Sequence, residues 1–300
     1  MKLSQYLPGA KRARFGAAAA ATLVLLVAIP GSAQAATAVG LGTADSFVVL
    51  AGSVITNTGP STLNGDLGTY PTTTITGTGS ITVTGTNHAG DAVTQGAQTD
   101  LTTAYGTAAG EGPTLPIVAD LAGQTLTPGV YNSASSLGLS GELTLNGGGD
   151  PNAVFVFQAG STLTTASGSL VTLINGTQAC NVFWQVGSSA TLGTGSTFRG
   201  TIMSMESITV TTGVTIQGRV LARSGAVTLD TDTITRPTCV APTTPATPQV
   251  TAVPTGAVST GDGSTSGTIG NAAYVVAGGL ALAGFGGAAV VATRRRRLDA

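Results

Sequence analysis

Along the second half of the chain, threonines and aliphatic residues alternate in a pattern that repeats. The tetrapeptide Thr-[Leu/Val]-x-Thr occupies residues 162–165, 191–194, 209–212 and 228–231, and the last three copies begin 18 and then 19 residues apart. Ser189-Ala-Thr-Leu-Gly-Thr-Gly-Ser-Thr-Phe-Arg-Gly200 aligns without a gap on Ser207-Ile-Thr-Val-Thr-Thr-Gly-Val-Thr-Ile-Gln-Gly218. A fixed period of this size marks one unit stacked on itself, and a strand, a Gly corner and a second strand in each unit predict a β-solenoid. Alternation along a strand sends Leu163, Leu192, Val210 and Leu229 into the bore and Thr162, Thr191, Thr209 and Thr228 outward. Stacking then places these threonines in a file at about 4.8 Å spacing, with Thr164 and Thr211 in a second, less regular file.

Elsewhere the pattern changes. From Asp91 to about Tyr105, the residues Val93, Ala97, Leu101, Ala104 and Tyr105 recur at helical spacing, and Asp91 supplies a cap. This predicts one amphipathic helix of about three to four turns lying along the solenoid. Residues 153–158 and 181–186 are nearly all apolar, as strands covered on both sides are, and form the expected wall beneath that helix. Ahead of the helix, Thr74-Ile-Thr-Gly77 and Thr82-Val-Thr-Gly85 echo the rungs.

The ends of the chain are of a different kind. Residues 1–35 read as an export signal: Lys2, Lys11, Arg12 and Arg14 precede an apolar run from Phe15 to Ile29, and Ala33-Gln34-Ala35 forms a small-x-small cleavage site. Residues 36–239 are the expected β-solenoid domain. Residues 240–271, dominated by Pro, Thr, Ser and Gly, cannot bury a core and are expected to be a flexible linker. Residues 272–293 match a membrane-spanning helix in length and composition, and Arg294, Arg295, Arg296 and Arg297 open a basic cytoplasmic tail, 294–300. The expected location is therefore the cell surface, with the membrane as a partner through the C-terminal helix. The Leu-Pro-x-Thr-Gly signal of wall-sorted tails is absent; Val253-Pro254-Thr255-Gly256 is a poor substitute.

Charge and cysteine content narrow the function. Residues 36–240 hold eleven acidic residues, four arginines and no lysine, a formal net charge of minus seven, which speaks against nucleic acid as a partner. Cys180 and Cys239 are expected to pair in an oxidising compartment. With His88 as the sole histidine, the two thiols fall short of a tetrahedral metal set, so no metal or other cofactor is expected. Nor is catalysis: β-helical lyases and hydrolases need clustered carboxylates, whereas only Asp230 and Asp232 lie two apart here, read as a solvated edge. His88 has no evident Ser or Cys partner, and no small-molecule substrate is implied.

Six ordered segments carry a family resemblance: Leu50-Ala-Gly-Ser-Val-Ile-Thr-Asn-Thr-Gly59, Gly65-Asp-Leu-Gly68, Leu126-Thr-Pro-Gly-Val-Tyr131, Gly149-Asp-Pro-Asn-Ala-Val-Phe-Val-Phe-Gln158, Asn181-Val-Phe-Trp-Gln-Val186 and Gly225-Ala-Val-Thr-Leu-Asp230. Over roughly residues 37–239 the chain resembles the DUF3494-type ice-binding proteins of bacteria and fungi. The resemblance implies a right-handed β-helix of triangular section with one long helix packed alongside, in which strands preceding the helix complete the solenoid beside the C-terminal rungs. It also implies adsorption to ice, or to ordered water, through one flat face. Combined with the ladder, it makes Thr162, Thr164, Thr191, Thr209, Thr211 and Thr228 the expected ice-binding residues. If the adjoining face is the flat one, Thr197 and Thr215 take that role. A surface adhesin or structural spacer on the same scaffold is the alternative.

Overall fold

The computed structural model describes residues 36–240. The expected export signal, the linker beyond residue 240, the expected membrane segment 272–293 and the basic tail lie outside the described residues. Among the described residues no helix is long and apolar enough to cross a membrane.

Among the described residues every strand pairing is parallel, and successive strands visit three faces in rotation. One face carries the α-helix of the described residues, one is the seven-stranded sheet that holds the repeated threonines, and the third closes the turn. On the helix face the spatial order is Thr114–Pro116, Gly129–Ser133, Phe155–Ala159, Val182–Val186, the second halves of Thr197–Ser204 and Thr215–Ala222, Phe47–Ala51, Asp66–Thr69 and Asn87–Ala89. The N-terminal turns thus stack on the C-terminal end, as the family resemblance implies. Having laid down Asn87–Ala89 at one end, the chain must return to the other before it can start Thr114–Pro116. The helix Ala92–Gly110 makes that return; its 19 residues span about 28 Å, or roughly six strand spacings.

The third and helix faces share two unbroken strands, Thr197–Ser204 and Thr215–Ala222, which turn the corner at Gly200 and Gly218. A Cβ on Gly218 would lie 1.8 Å from the carbonyl oxygen of Gly200, so only glycine lets these backbones stack through the bend.

Two apolar cores result. The bore is filled by aliphatic residues and by a stack of rings from successive rungs: Tyr131 on Phe157 at 5.5 Å, Phe157 on Trp184 at 4.0 Å, and Trp184 tilted against Phe198 at 5.0 Å. The indole N–H of Trp184 donates to the carbonyl of Arg199 at 3.0 Å, so its polar atom is satisfied inside the bore. The second core lies between helix and wall, where Ala97, Leu101, Ala104, Tyr105 and Ala108 meet Leu50, Val156, Phe183, Met203 and Leu221. Strands 155–159 and 182–186 are therefore covered on both sides, as their apolar runs predict.

The helix differs from expectation at both ends. It runs to Gly110, beyond Tyr105, because Gln158 on the wall donates through Nε2 to the carbonyls of Ala108, Ala109 and Glu111. At its start Asp91 caps it, accepting the N–H of Thr94 at 2.9 Å, while Thr94 is buried and Val93 is 45% exposed. The wall forces this swap. The Thr94 hydroxyl donates to the carbonyl of His88 at 2.8 Å, which holds Thr94 inward and leaves Val93 out, and its methyl packs so close to Gly68 that a Cβ there would lie 2.3 Å away.

The N-terminal turn is fastened by a buried cation. Arg219, only 2% exposed, donates through Nε to the carbonyl of Asp45 at 2.9 Å, through Nη2 to the Asp45 carboxylate at 2.6 Å, and through Nη1 to Thr201 Oγ1 at 3.2 Å. Cys180 and Cys239 form the expected disulfide, with their Cα atoms 5.7 Å apart.

Candidate functional site

The seven-stranded sheet runs in the order Leu137–Leu139, Leu163–Thr165, Ala190–Leu192, Ile208–Val210, Val227–Asp230, Ile55–Thr58 and Ile75–Thr76. Its register sets Gly138 against Thr164, Thr164 against Thr191, Thr191 against Thr209, Thr209 against Thr228, Thr228 against Thr56, and Thr56 against Thr76. Six consecutive threonines therefore form one outward file, with neighbours about 4.8 Å apart. Behind them Leu163, Ala190, Ile208, Val227 and Ile55 stack in the bore, which holds the sheet rigid.

One sequence expectation is corrected here. Thr162 does not stand in the file of Thr191, Thr209 and Thr228; Thr164 does, and Thr162 lies two residues earlier, level with Ser189. The first tetrapeptide is shifted because Thr165, not Leu163, fills the inward place that Leu192 and Val210 occupy in later rungs. Thr165 is buried, and its hydroxyl accepts the N–H of Gly193 at 2.9 Å, which makes a threonine tolerable inside. Thr211 occupies the flanking position two residues beyond Thr209, and its hydroxyl donates to the carbonyl of Leu192 at 2.7 Å.

Thr56 and Thr76 are ladder members that sequence reasoning missed. Their signal is the pair apolar–Thr, as in Ile55-Thr56 and Ile75-Thr76, which matches Leu163-Thr164, Ile208-Thr209 and Val227-Thr228. The longer tetrapeptide hid it.

The three files across this sheet contain only short side chains. The flank before the ladder holds Thr162, Ser189, Ser207, Ala226 and Val54, and the flank after it Ala166, Gly193, Thr211, Asp230 and Thr58. The adjoining third face also carries a threonine file, Thr197, Thr215, Thr233, Thr62 and Thr82 in register. Beyond Thr197 that file continues as Leu170 and Glu142, and beside it project Arg199 and Gln217. A groove of about 580 Å³, bounded by Leu170, Leu173, Gln178, Arg199 and Val240, further breaks this face. A groove of about 360 Å³ bounded by Asp120, Gly138, Thr164 and Ala166 notches one end of the ladder sheet, but from Thr191 to Thr76 the ladder face is the more uniform of the two.

At the corner between these faces lies Asp232, which the sequence suggested was a solvated edge. It is instead 1% exposed. Thr231 adopts a left-handed conformation with φ 58°, which breaks the alternation and turns Asp232 inward while Asp230 stays outside. Asp232 accepts the N–H of Val214 at 2.9 Å and of Asp230 at 2.8 Å, and its own N–H donates to Ser61 Oγ at 3.0 Å, so it joins the C-terminal rungs to the N-terminal turn.

Burial, reinforced by the charge of Asp230 and opposed by the two N–H donors, pushes the Asp232 carboxyl up to about 7. A folded-state value above the unfolded one stabilises the fold when the group is protonated. That contribution is fully present below about 4 and is lost as pH rises to about 7. The melting temperature is therefore expected to be higher at pH 5 than at pH 8, and Asp232→Asn should flatten the difference. Asp91, held at about 2 chiefly by the Thr94 N–H, acts in the opposite direction and only at lower pH, so it does not mask the effect. Equal melting temperatures at pH 5 and 8 would contradict this assignment.

Among the described residues no group of three or more His, Cys, Asp or Glu side chains is placed to hold a metal ion. The ladder itself presents only the methyl and hydroxyl groups of threonine. Residues 49–235 match the family described as Ice-binding-like.

The chain belongs to the ice-binding-like family. It is 52% identical over 204 residues to an ice-binding protein of Nostoc sp. (strain HG1), an alignment covering 67% of this chain and 76% of the relative. An ice-binding protein of Colwellia sp. is 38% identical over 220 residues, with 67% and 85% covered. Among solved structures, an ice-binding protein from an Antarctic biological consortium superposes with a TM-score of 0.68 at 46% identity, covering 70% of this chain and 96% of that one. An ice-binding protein from the Antarctic ascomycete Antarctomyces psychrotrophicus gives 0.64 at 42% identity, covering 66% and 98%. Those two solved chains consist almost wholly of the matched domain.

Proposed function

We propose that this chain adsorbs to ice through the ladder face. The observation that carries the reading is the unbroken register of six threonines on a sheet whose strands present no outward side chain longer than an aspartate. Relatives named ice-binding proteins support the same reading. Each threonine presents a methyl that excludes water and a hydroxyl that holds it at a fixed place. Repeated at strand spacing on a rigid support, these groups order a layer of water that merges with the lattice. Single contacts are weak and act together, and the solenoid loses little freedom on binding.

In this reading Thr164, Thr191, Thr209 and Thr228 make the central contacts together with Thr56 and Thr76. Thr211 and Thr58 extend the array on one flank and Thr162 on the other. The test is thermal hysteresis and crystal habit with purified residues 36–240. Faceted crystals and a gap between melting and growth temperatures are expected; round, freely growing crystals would leave a scaffold without ice activity.

Display at the cell surface is part of the same proposal. The signal-like segment 1–35, the Pro- and Thr-rich linker and the apolar segment 272–293 followed by four arginines support an exported domain held at a membrane. Protease treatment of intact cells should release the domain. Full protection until lysis would refute display.

A further inference from the structure

Asp230 is the one ionisable residue in the seven strands of the ladder sheet. It ends Val227–Asp230, two residues beyond Thr228 on the same side, and stands opposite Thr58 of the next rung. Thr212 Oγ1 donates to one carboxylate oxygen at 2.5 Å and Thr231 Oγ1 to the other at 3.0 Å. From behind, its backbone N–H is fixed on buried Asp232 at 2.8 Å. The carboxylate is therefore held, half-buried, at a fixed point in the flanking file.

An ice surface is a neutral lattice in which each water both donates and accepts. A carboxylate only accepts, so it turns the hydrogens of all its bound waters toward itself, and removing that shell costs free energy that a hydroxyl does not incur. Two threonine hydroxyls are also committed to it and not to the water layer. At the matching positions of other rungs the chain places Ala166, Gly193, Thr211 and Thr58, all uncharged.

Resting on the ladder-face reading, we propose that Asp230 restrains adsorption: its charge weakens the flanking file and confines tight contact to the central threonines. Neutral replacements should then bind ice better than the native residue, whereas most substitutions on a binding face weaken it.

The experiment compares residues 36–240 with Asp230→Asn, Asp230→Thr and Asp230→Glu by thermal hysteresis at equal concentration and neutral pH, with melting curves as the folding control. Asp230→Asn and Asp230→Thr are expected to raise hysteresis about twofold, the scale on which exposed charges act, and Asp230→Glu, which keeps the charge on a longer side chain, to give no increase. Should one neutral variant fail to melt cooperatively, the other is read. Unchanged or reduced hysteresis in a folded neutral variant, beside an active native protein, overturns the restraint alone. An inactive native protein overturns the ladder reading and the restraint with it.

Discussion

Replacing Thr209 by tyrosine is expected to lower thermal hysteresis by about an order of magnitude, because binding rests on many weak contacts made together and one raised ring lifts several rungs from the ice. Thr209 is the right position for the test. It lies in the interior of the file, paired to Thr191 on one side and Thr228 on the other. Its side chain points out of the bore between inward Ile208 and Val210, so the ring meets solvent and stability should change by no more than about 0.5 kcal/mol. Thr215→Tyr provides the matched control. It places the same ring on the neighbouring threonine file of the third face, at an equally outward position. If the ladder face binds ice, the first variant loses activity and the second keeps it. The reverse outcome moves the binding face to the file of Thr197 and Thr215.

The largest effect on stability is expected from the disulfide. Cys180 and Cys239 are 59 residues apart in sequence and enclose the strands that carry Thr191, Thr209 and Thr228. Closing a loop of that length stabilises a fold by about 4 kcal/mol in the chain-entropy model. For a domain of this size, that corresponds to a fall in melting temperature of roughly 8–16 °C in Cys180→Ser/Cys239→Ser. Cys239 borders the third face, where Gln178 holds the backbone of Val240 through two hydrogen bonds, and the ladder lies on another face. Hysteresis near the freezing point should therefore survive in the reduced form, while calorimetry shows the loss. A fall of less than about 2 °C would mean that the packed rungs hold this end of the chain without the bond.

Much of this architecture can be read directly from residue order, for identifiable reasons. The rungs of Thr191, Thr209 and Thr228 follow one another in the chain, so spacing alone aligns them. The apolar runs at 153–158 and 181–186 announce strands covered twice because no polar residue could face a helix there without a partner. Asn181, Gln158 and Gln185 are the exceptions, and each finds one: Asn181 at the carbonyl of Pro151, Gln158 at the helix C-terminus and Gln185 at the Tyr105 hydroxyl, 2.6 Å away.

What sequence order hides is what depends on distant partners. Thr56 and Thr76 join the ladder because Ile55–Thr58 pairs with Val227–Asp230, a neighbour some 170 residues away in the chain. The motif equates Thr162 with Thr191, but the N–H of Gly193 donates to Thr165, so the buried threonine of that rung is Thr165 and the ladder member is Thr164. The helix outlasted its apolar stripe because its last carbonyls are met by Gln158, a residue on another element. Asp232 turned inward through one left-handed residue, Thr231, that the local sequence did not advertise.

The most direct single measurement is partition into ice. A dilute solution of fluorescently labelled residues 36–240 is frozen slowly onto a cold surface, and the label is counted in the ice and in the remaining liquid. A protein that adsorbs through a rigid threonine ladder is carried into the advancing ice well above the level of a labelled protein without such a face, and Thr209→Tyr is left behind in the liquid. Exclusion of the native domain to the same extent as that control would contradict ice adsorption by this chain.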